Sequence, residues 1–249
     1  MTGNELHVVT GAGSGIGRAL ARALAEAGHA VVAVGRREAP LRETAAGLET
    51  IRPLPADVAS EAGRARIAEA VGGARLRWLV HNAGVLEPVG PLLEAEPEAL
   101  RYALAVNVEA PIHLTRALRP ALAGGSRVLH VSSGAAHRPV PGWGAYCLGK
   151  AALHMAYQVL REELRPEGIA VGSVRPGVVD TPMQTLIRSQ PESAFPAVER
   201  FRALKARGEL EPPERVARFI LALLELQDVE RFGAAEWDIR EHAASLGIA

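Results

Sequence analysis

A doubly wound parallel α/β sheet is predicted from two features of this 249-residue sequence. Strand-length apolar runs alternate with helical patterns, and a glycine-rich turn is wedged between the first run and the first helix. Leu6 to Thr10, Ala30 to Val34, Trp78 to His81, Val128 to Ser132 and Ala170 to Val174 read as strands, apolar enough to be covered on both faces. Ile16 to Ala27, Ser60 to Val71, Glu98 to Leu122 and Cys147 to Leu164 carry helical periodicity. Ligands of such sheets bind outside the carboxyl ends of the strands. The rhythm breaks at Pro176, and 181–213 is richer in Pro, Gln, Ser and charge, so it reads as a lid or substrate loop with short helices. Glu214 to Leu226 then reads as a helix and Ala235 to Ile239 as a last strand. The expectation is one domain spanning 1–249 with that lid inserted.

Composition narrows the function classes. With 28 basic against 28 acidic residues there is no field to favour nucleic acid or an anionic membrane, and 48% hydrophobic residues are ample for a core. No apolar run approaches the roughly 18 residues of a membrane helix. The amino terminus lacks a basic, apolar signal pattern, and the single Cys147 has no intrachain partner. A soluble cytoplasmic protein with a reduced thiol is expected.

The turn Thr10-Gly11-Ala12-Gly13-Ser14-Gly15-Ile16-Gly17 lets the backbone approach a pyrophosphate at the positive end of a helix. A strand before it and a helix after it make this a strong dinucleotide signal, and a Rossmann-type fold follows. NAD sites usually place an acid about 20 residues on. Here Val34-Gly35-Arg36-Arg37 offers two arginines instead, which favours NADP(H) over the alternative of two solvated residues in an arginine-rich chain. Asp57, with Val58 beside it, either accepts a hydrogen bond from the adenine amino group or caps the helix beginning near Ser60.

Lys150 is one of only two lysines among the 28 basic residues, and it follows Tyr146 by four positions. On a helix the two share a face. An ammonium beside a phenol favours the phenolate, so Tyr146 is expected to be acidified toward neutral pH, where it can pass protons. Taken alone this spacing fits a solvated helix pair as well. Asn107 precedes Pro111 by four residues, so in a helix its carbonyl loses the amide that would bind it, leaving either a kink or a free carbonyl.

In this order, Thr10-Gly11-x-x-x-Gly15-x-Gly17, Asn82-Ala83-Gly84, Ser132-Ser133, Tyr146-x-x-x-Lys150 and Pro176-Gly177 make the chain resemble the short-chain dehydrogenase/reductase family over nearly its whole length. Gly142 to Ala152, Asp180-Thr181-x-Met183-Gln184 and Leu204 to Gly208 resemble the branch of sepiapterin and bacterial benzil reductases. The resemblance implies a catalytic tetrad of Asn107, Ser133, Tyr146 and Lys150. In it Tyr146 donates a proton to the substrate carbonyl, Ser133 hydrogen-bonds that oxygen, and Lys150 holds the nicotinamide ribose. A water on the Asn107 carbonyl would link Lys150 to solvent. The resemblance also implies cofactor contacts at Asn82, Ala83, Gly84, Pro176, Gly177, Val179 and Thr181. Where the family more often has a further asparagine this chain has His81, which reads as structural. No metal ligand is assigned.

Toward the substrate the resemblance places Asp238 as a carboxylate anchor for a pterin; an exposed strand-end acid is the competing reading. Trp143, Met183, Leu186 and Phe195 either line an apolar pocket for a bulky diketone or simply pack. Cys147 reads as a small hydrophobe. The expected function is NADPH-dependent reduction of a ketone or diketone. A non-catalytic NADP sensor and an NAD-dependent alcohol dehydrogenase are the alternatives. By resemblance the protein is a homodimer or homotetramer paired through the helices near Glu98 and Cys147.

Overall fold

A computed structural model describes residues 5–248; Met1 to Asn4, part of the terminus read above for a signal, and Ala249 lie outside it. Seven strands form one parallel sheet in the order β3-β2-β1-β4-β5-β6-β7. They are β1 (Glu5–Thr10), β2 (Val31–Gly35), β3 (Ile51–Pro55), β4 (Arg75–His81), β5 (Leu122–Val131), β6 (Ala170–Arg175) and β7 (Glu236–Asp238). Chain order reverses between β1 and β4, which opens a crevice beyond their carboxyl ends.

Helices cover both faces. On one, α1 (Gly15–Glu26) packs Leu20, Leu24 and Ala25 beside Phe219, Ile220 and Leu223 of α9 (Pro213–Leu224). On the other, Ile67 of α3 (Glu61–Val71), Leu114 of α5 (Ala110–Leu118) and Tyr157 of α6 (Gly144–Leu164) bury against Val8, Leu79 and Val128. Both sheet faces are therefore dry, as the continuous apolar strands require.

The helix expected over Glu98 to Leu122 is broken. It runs as α4 (Pro97–Leu104), a π-helical turn Ala105–Glu109 and α5, then a 3-10 turn, Arg119–Ala121, before β5 takes up Leu122. The widened turn sits just before Pro111, which has no N–H to continue the ladder. Two further elements were not anticipated. Helix α2 (Glu38–Ala45) buries only Leu41 and Thr44, and β3 carries Pro53 and Pro55, tolerable because it is an edge strand.

The segment 181–213 folds as α7 (Pro182–Arg188) and α8 (Val198–Ala206) with their connections. Ile187, Phe195, Val198 and Phe201 bury against Trp143, making a third apolar cluster instead of an open loop. The described residues finish with α10 (Val229–Ala234), β7, the short α11 (Ile239–His242) and a 3-10 turn, Ala244–Leu246. Among the described residues no helix is long and apolar enough to cross a membrane.

Candidate active site

The crevice is a cleft of about 870 Å³ that runs from the glycine turn to the Trp143 cluster. Gly11, Gly13, Ser14, Gly15 and Ile16 form one end. Gly11 and Gly15 have positive φ, and a Cβ on Gly15 would stand 2.9 Å from Thr181 Cγ2, so only glycine keeps this turn open. Ser14 caps α1 without a side-chain bond, and no acid lies in the first turn, so the first amides of α1 are left for an anion. A diphosphate group fits this cradle.

Gly17 behaves differently from its neighbours. It is buried off the cleft wall, and a Cβ there would be 2.4 Å from both Gly11 O and Asn82 Nδ2. Its expected cofactor contact is corrected to close packing of α1 under the turn. Thr10, which sequence reasoning left unassigned, ties the turn down: its Oγ1 donates to Val80 O at 3.2 Å and accepts from Asn82 N and Ala83 N at 3.0 Å. Asn82 Nδ2 donates back to Thr10 O at 2.9 Å.

Arg36, Arg37, Asp57 and Val58 line the cleft near the end of β2. Arg36 donates to Tyr102 Oη at 2.7 Å. Asp57 accepts from Ala59 N at 3.0 Å, while the capping bond of α3 comes from Ser60 instead, so the capping alternative for Asp57 is corrected. Ala83, Gly84, Pro176, Gly177, Val179 and Thr181 lie along the same wall.

Ser133, Tyr146 and Lys150 meet at the centre. Ser133 follows β5, its Oγ accepts from Ala135 N at 3.2 Å, and the hydroxyl lies near enough to the Tyr146 phenol to lower its pKa. Tyr146 and Lys150 project from α6 one turn apart, with the ammonium 5.6 Å from the ring centroid. The acidified phenol expected from this pairing is corrected: burial pushes the Tyr146 pKa up to about 12, outweighing the Ser133 hydroxyl, which lowers it. Burial also brings the Lys150 ammonium down to about 8, and it donates to Val131 O at 2.8 Å.

Asn107 lies off the cleft wall within the π turn. Its Oδ1 accepts from Val85 N at 3.0 Å and its Nδ2 donates to Val85 O at 2.8 Å. Gly149 lets α6 approach this turn, since a Cβ there would be 3.0 Å from Asn107 Cβ. His81 is buried, paired with Thr115 at 2.8 Å, and held neutral by burial.

Beyond the tetrad residues, Trp143, Met183 and Leu186 line an apolar end. Phe195 is fully buried behind Trp143, stacked at 4.8 Å, so it packs and does not line the cleft. Asp238 is also corrected. Its carboxylate has no exposure, caps α11 through Arg240 N at 2.9 Å and pairs with Arg240 and Arg175. Those two arginines, with His137, Arg138, Arg200 and Gln184, are among the polar groups that line the cleft. Cys147 is half-buried, and burial pushes its thiol pKa up, as suits a small hydrophobe.

Comparison with known proteins agrees with this geometry. The family described as short chain dehydrogenase matches residues 5–192. Benzil reductase ((S)-benzoin forming) of Bacillus subtilis is 33% identical over 89% of this chain and 93% of its own, and human L-xylulose reductase 35% identical over 87% of each. The angucycline C-6 ketoreductase LanV with bound NADP superposes with a TM-score of 0.81 at 28% identity, covering 94% of this chain and 93% of that one. A 3-ketoacyl-(acyl-carrier-protein) reductase from Brucella melitensis complexed with NADH also gives 0.81, at 27% identity over 95% and 96%. With the parallel sheet, the glycine cradle and the Ser133, Tyr146 and Lys150 arrangement, these matches show that the chain belongs to the short-chain dehydrogenase/reductase family, oxidoreductases that use a nicotinamide cofactor on carbonyl and hydroxyl groups.

Proposed function

We propose that this protein is an NADPH-dependent carbonyl reductase acting on a ketone or diketone with a bulky apolar substituent, benzil-like in character. The observation that carries the proposal is the convergence of Ser133, Tyr146 and Lys150 on one cleft wall, between the glycine cradle and the apolar surface of Trp143, Met183 and Leu186. When bound, the reduced nicotinamide supplies the hydride that goes to the carbonyl carbon. The chain's own groups do the rest. Gly11 to Ile16 and the first amides of α1 hold the diphosphate, with Arg36 and Arg37 at the position of a 2′-phosphate. Ser133 Oγ hydrogen-bonds the carbonyl oxygen as negative charge grows on it, and Tyr146 Oη gives it a proton.

A high Tyr146 pKa suits that direction, because the phenol keeps its proton at neutral pH until an alkoxide, a far stronger base, develops beside it. Lys150, with its pKa brought down to about 8, returns the proton to Tyr146, and a water on the main-chain carbonyl of Asn107 in the π turn would replenish it. Apolar contacts of Trp143 and Met183 exclude bulk water from the reacting carbonyl. The whole described chain acts as one cofactor-binding unit, with α7 and α8 closing the substrate end. Exposed Leu148, Met155 and Val159 on α6, with Tyr102 on α4, fit a homo-oligomer paired along these helices. The reduced, half-buried Cys147 fits a cytoplasmic setting.

The test is oxidation of NADPH and of NADH by wild type and by Tyr146→Phe against benzil, sepiapterin and L-xylulose. The variant is expected to lose at least about 100-fold in kcat/KM with NADPH affinity little changed. Equal rates for the two proteins would refute the assignment of Tyr146. No turnover of any carbonyl by wild type would refute the reductase reading.

A further inference from the structure

His137 follows the turn after Ser133, His154 stands in the middle of α6, and Glu236 opens β7. The fold brings them to one point beside the cleft. Glu236 Oε2 is 2.6 Å from His137 Nε2, and Oε1 is 3.3 Å from His154 Nδ1. One donor atom from each residue falls within 4.8 Å of the other two. Tetrahedral zinc, with bonds of about 2.0–2.1 Å to nitrogen and oxygen, spaces its ligands about 3.3 Å apart, so small shifts of these side chains suffice.

Three further observations favour a cation. His154 Nδ1 is buried and makes no aligned hydrogen bond, although it faces the carboxylate. Its Nε2 is 2.7 Å from the Gln158 side-chain amide; turned to present its oxygen, that amide accepts from Nε2–H and leaves the Nδ1 lone pair for a metal. Glu236 is nine-tenths buried, and its carboxylate accepts from Ser173 Oγ at 2.9 Å while its two oxygens face the two imidazoles.

Arg175 is the countervailing group, with Nε 3.3 Å from Glu236. It is shared with Asp238 and Glu241, however, and Arg240 is the other cation of the cluster. Three carboxylates against two guanidiniums leave the cluster negative when the imidazoles are neutral. Two imidazoles and one carboxylate suit Zn²⁺, Co²⁺ or Ni²⁺ better than Mg²⁺ or Ca²⁺.

We infer that His137, His154 and Glu236 form a site for a divalent transition metal on the cleft rim, with an open coordination position toward the cleft. His137 is a third exposed and lines the cleft, which gives that position its access. A bound ion would tie together the loop carrying Ser133, the helix carrying Tyr146 and Lys150, and the final strand.

The experiment adds ZnCl2 to chelator-treated protein, followed by calorimetry and thermal unfolding, and CoCl2, followed by visible absorption. Wild type is expected to bind one equivalent of Zn²⁺ per chain at micromolar concentration or tighter, to unfold at higher temperature when loaded, and to give visible Co²⁺ bands of a four- or five-coordinate ion. His154→Ala and His137→Ala are each expected to weaken binding by more than about tenfold, while His113→Ala, at an exposed position of α5, keeps it. Glu236→Gln, which preserves shape, is expected to weaken it likewise. Failure of wild type to bind zinc, or binding that survives both histidine variants, would overturn the site. Neither readout involves carbonyl turnover, so the result is independent of the proposed reductase activity.

Discussion

The Lys150 ammonium donates to the carbonyl of Val131 at 2.8 Å while standing 5.6 Å from the centre of the Tyr146 ring. One contact thus joins α6 to the end of β5, and it points the charge across the cleft floor. The position is 4% exposed, and a Cβ placed on Gly84 opposite would be only 3.7 Å from Nζ. A guanidinium is wider and planar, and cannot shed its proton when buried. Lys150→Arg is therefore expected to keep the positive charge and still lose at least about 100-fold in kcat/KM with NADPH. Steady-state kinetics with near-wild-type values would remove the argument from size and pKa.

The proposed preference for NADP(H) turns on Arg36 and Arg37. Among the described residues Arg36 is engaged only with the Tyr102 hydroxyl, and the end of β2 carries no acid. A guanidinium bound to a phosphate contributes roughly 1.5–3 kcal/mol, or about 10- to 100-fold. Arg36→Asp is expected to weaken NADPH by that factor and to improve NADH, whereas Tyr102→Phe changes neither appreciably. Measured kcat/KM for both cofactors decides it: an unchanged ratio in the Arg36→Ala, Arg37→Ala double variant would rule out NADP selection by these residues.

What was legible from sequence was local chemistry. Glycines at fixed spacing and a tyrosine one helical turn from a rare lysine announce the cleft because their meaning needs only the adjacent backbone. Helix α2 escaped notice because eight residues with a proline and three charges bury just two side chains. Asp238 was misjudged because its partner Arg175 lies 63 positions earlier in the chain. The Tyr146 phenol was judged from its neighbour's charge alone, whereas desolvation, visible only in three dimensions, is the larger effect. The same distance in sequence hid the meeting of His137, His154 and Glu236.

Three buried histidines make stability depend on acid. Burial lowers His7 to about 4 and His130 to about 3, and holds His81 well below its ordinary value. In the unfolded chain each titrates near 6.5. Between those values the unfolded state binds more protons than the folded state, so stability rises with pH there and is lost as pH falls below about 6.5. Each residue adds a slope of up to about 1.4 kcal/mol per pH unit. Denaturant unfolding at stepwise lower pH is expected to show the loss. His130→Leu should flatten it by up to a third of the three-histidine slope, since neither ring nitrogen has a hydrogen-bond partner to lose among the described residues. An unaltered slope would exclude His130 as a contributor.

Gly17 offers a test of packing against propensity. Inside a helix, replacing glycine by alanine ordinarily stabilises by about 1 kcal/mol. At this position the added Cβ would meet Gly11 O and Asn82 Nδ2 at 2.4 Å, and the first of these is backbone that the glycine turn holds fixed. The Asn82 amide cannot retreat without breaking its 2.9 Å bond to Thr10 O. Overpacking of this kind costs about 1–3 kcal/mol or more, so steric cost outweighs propensity. Gly17→Ala is expected to lower the unfolding free energy by at least about 1 kcal/mol and to weaken NADPH binding by displacing the turn, although the residue itself touches no cleft. Gly73, where a Cβ meets nothing within 4 Å, is the control: Gly73→Ala should leave both quantities near wild type. A Gly17→Ala protein as stable as wild type would mean that α1 can slide under the turn, and the close-packing role would then fail.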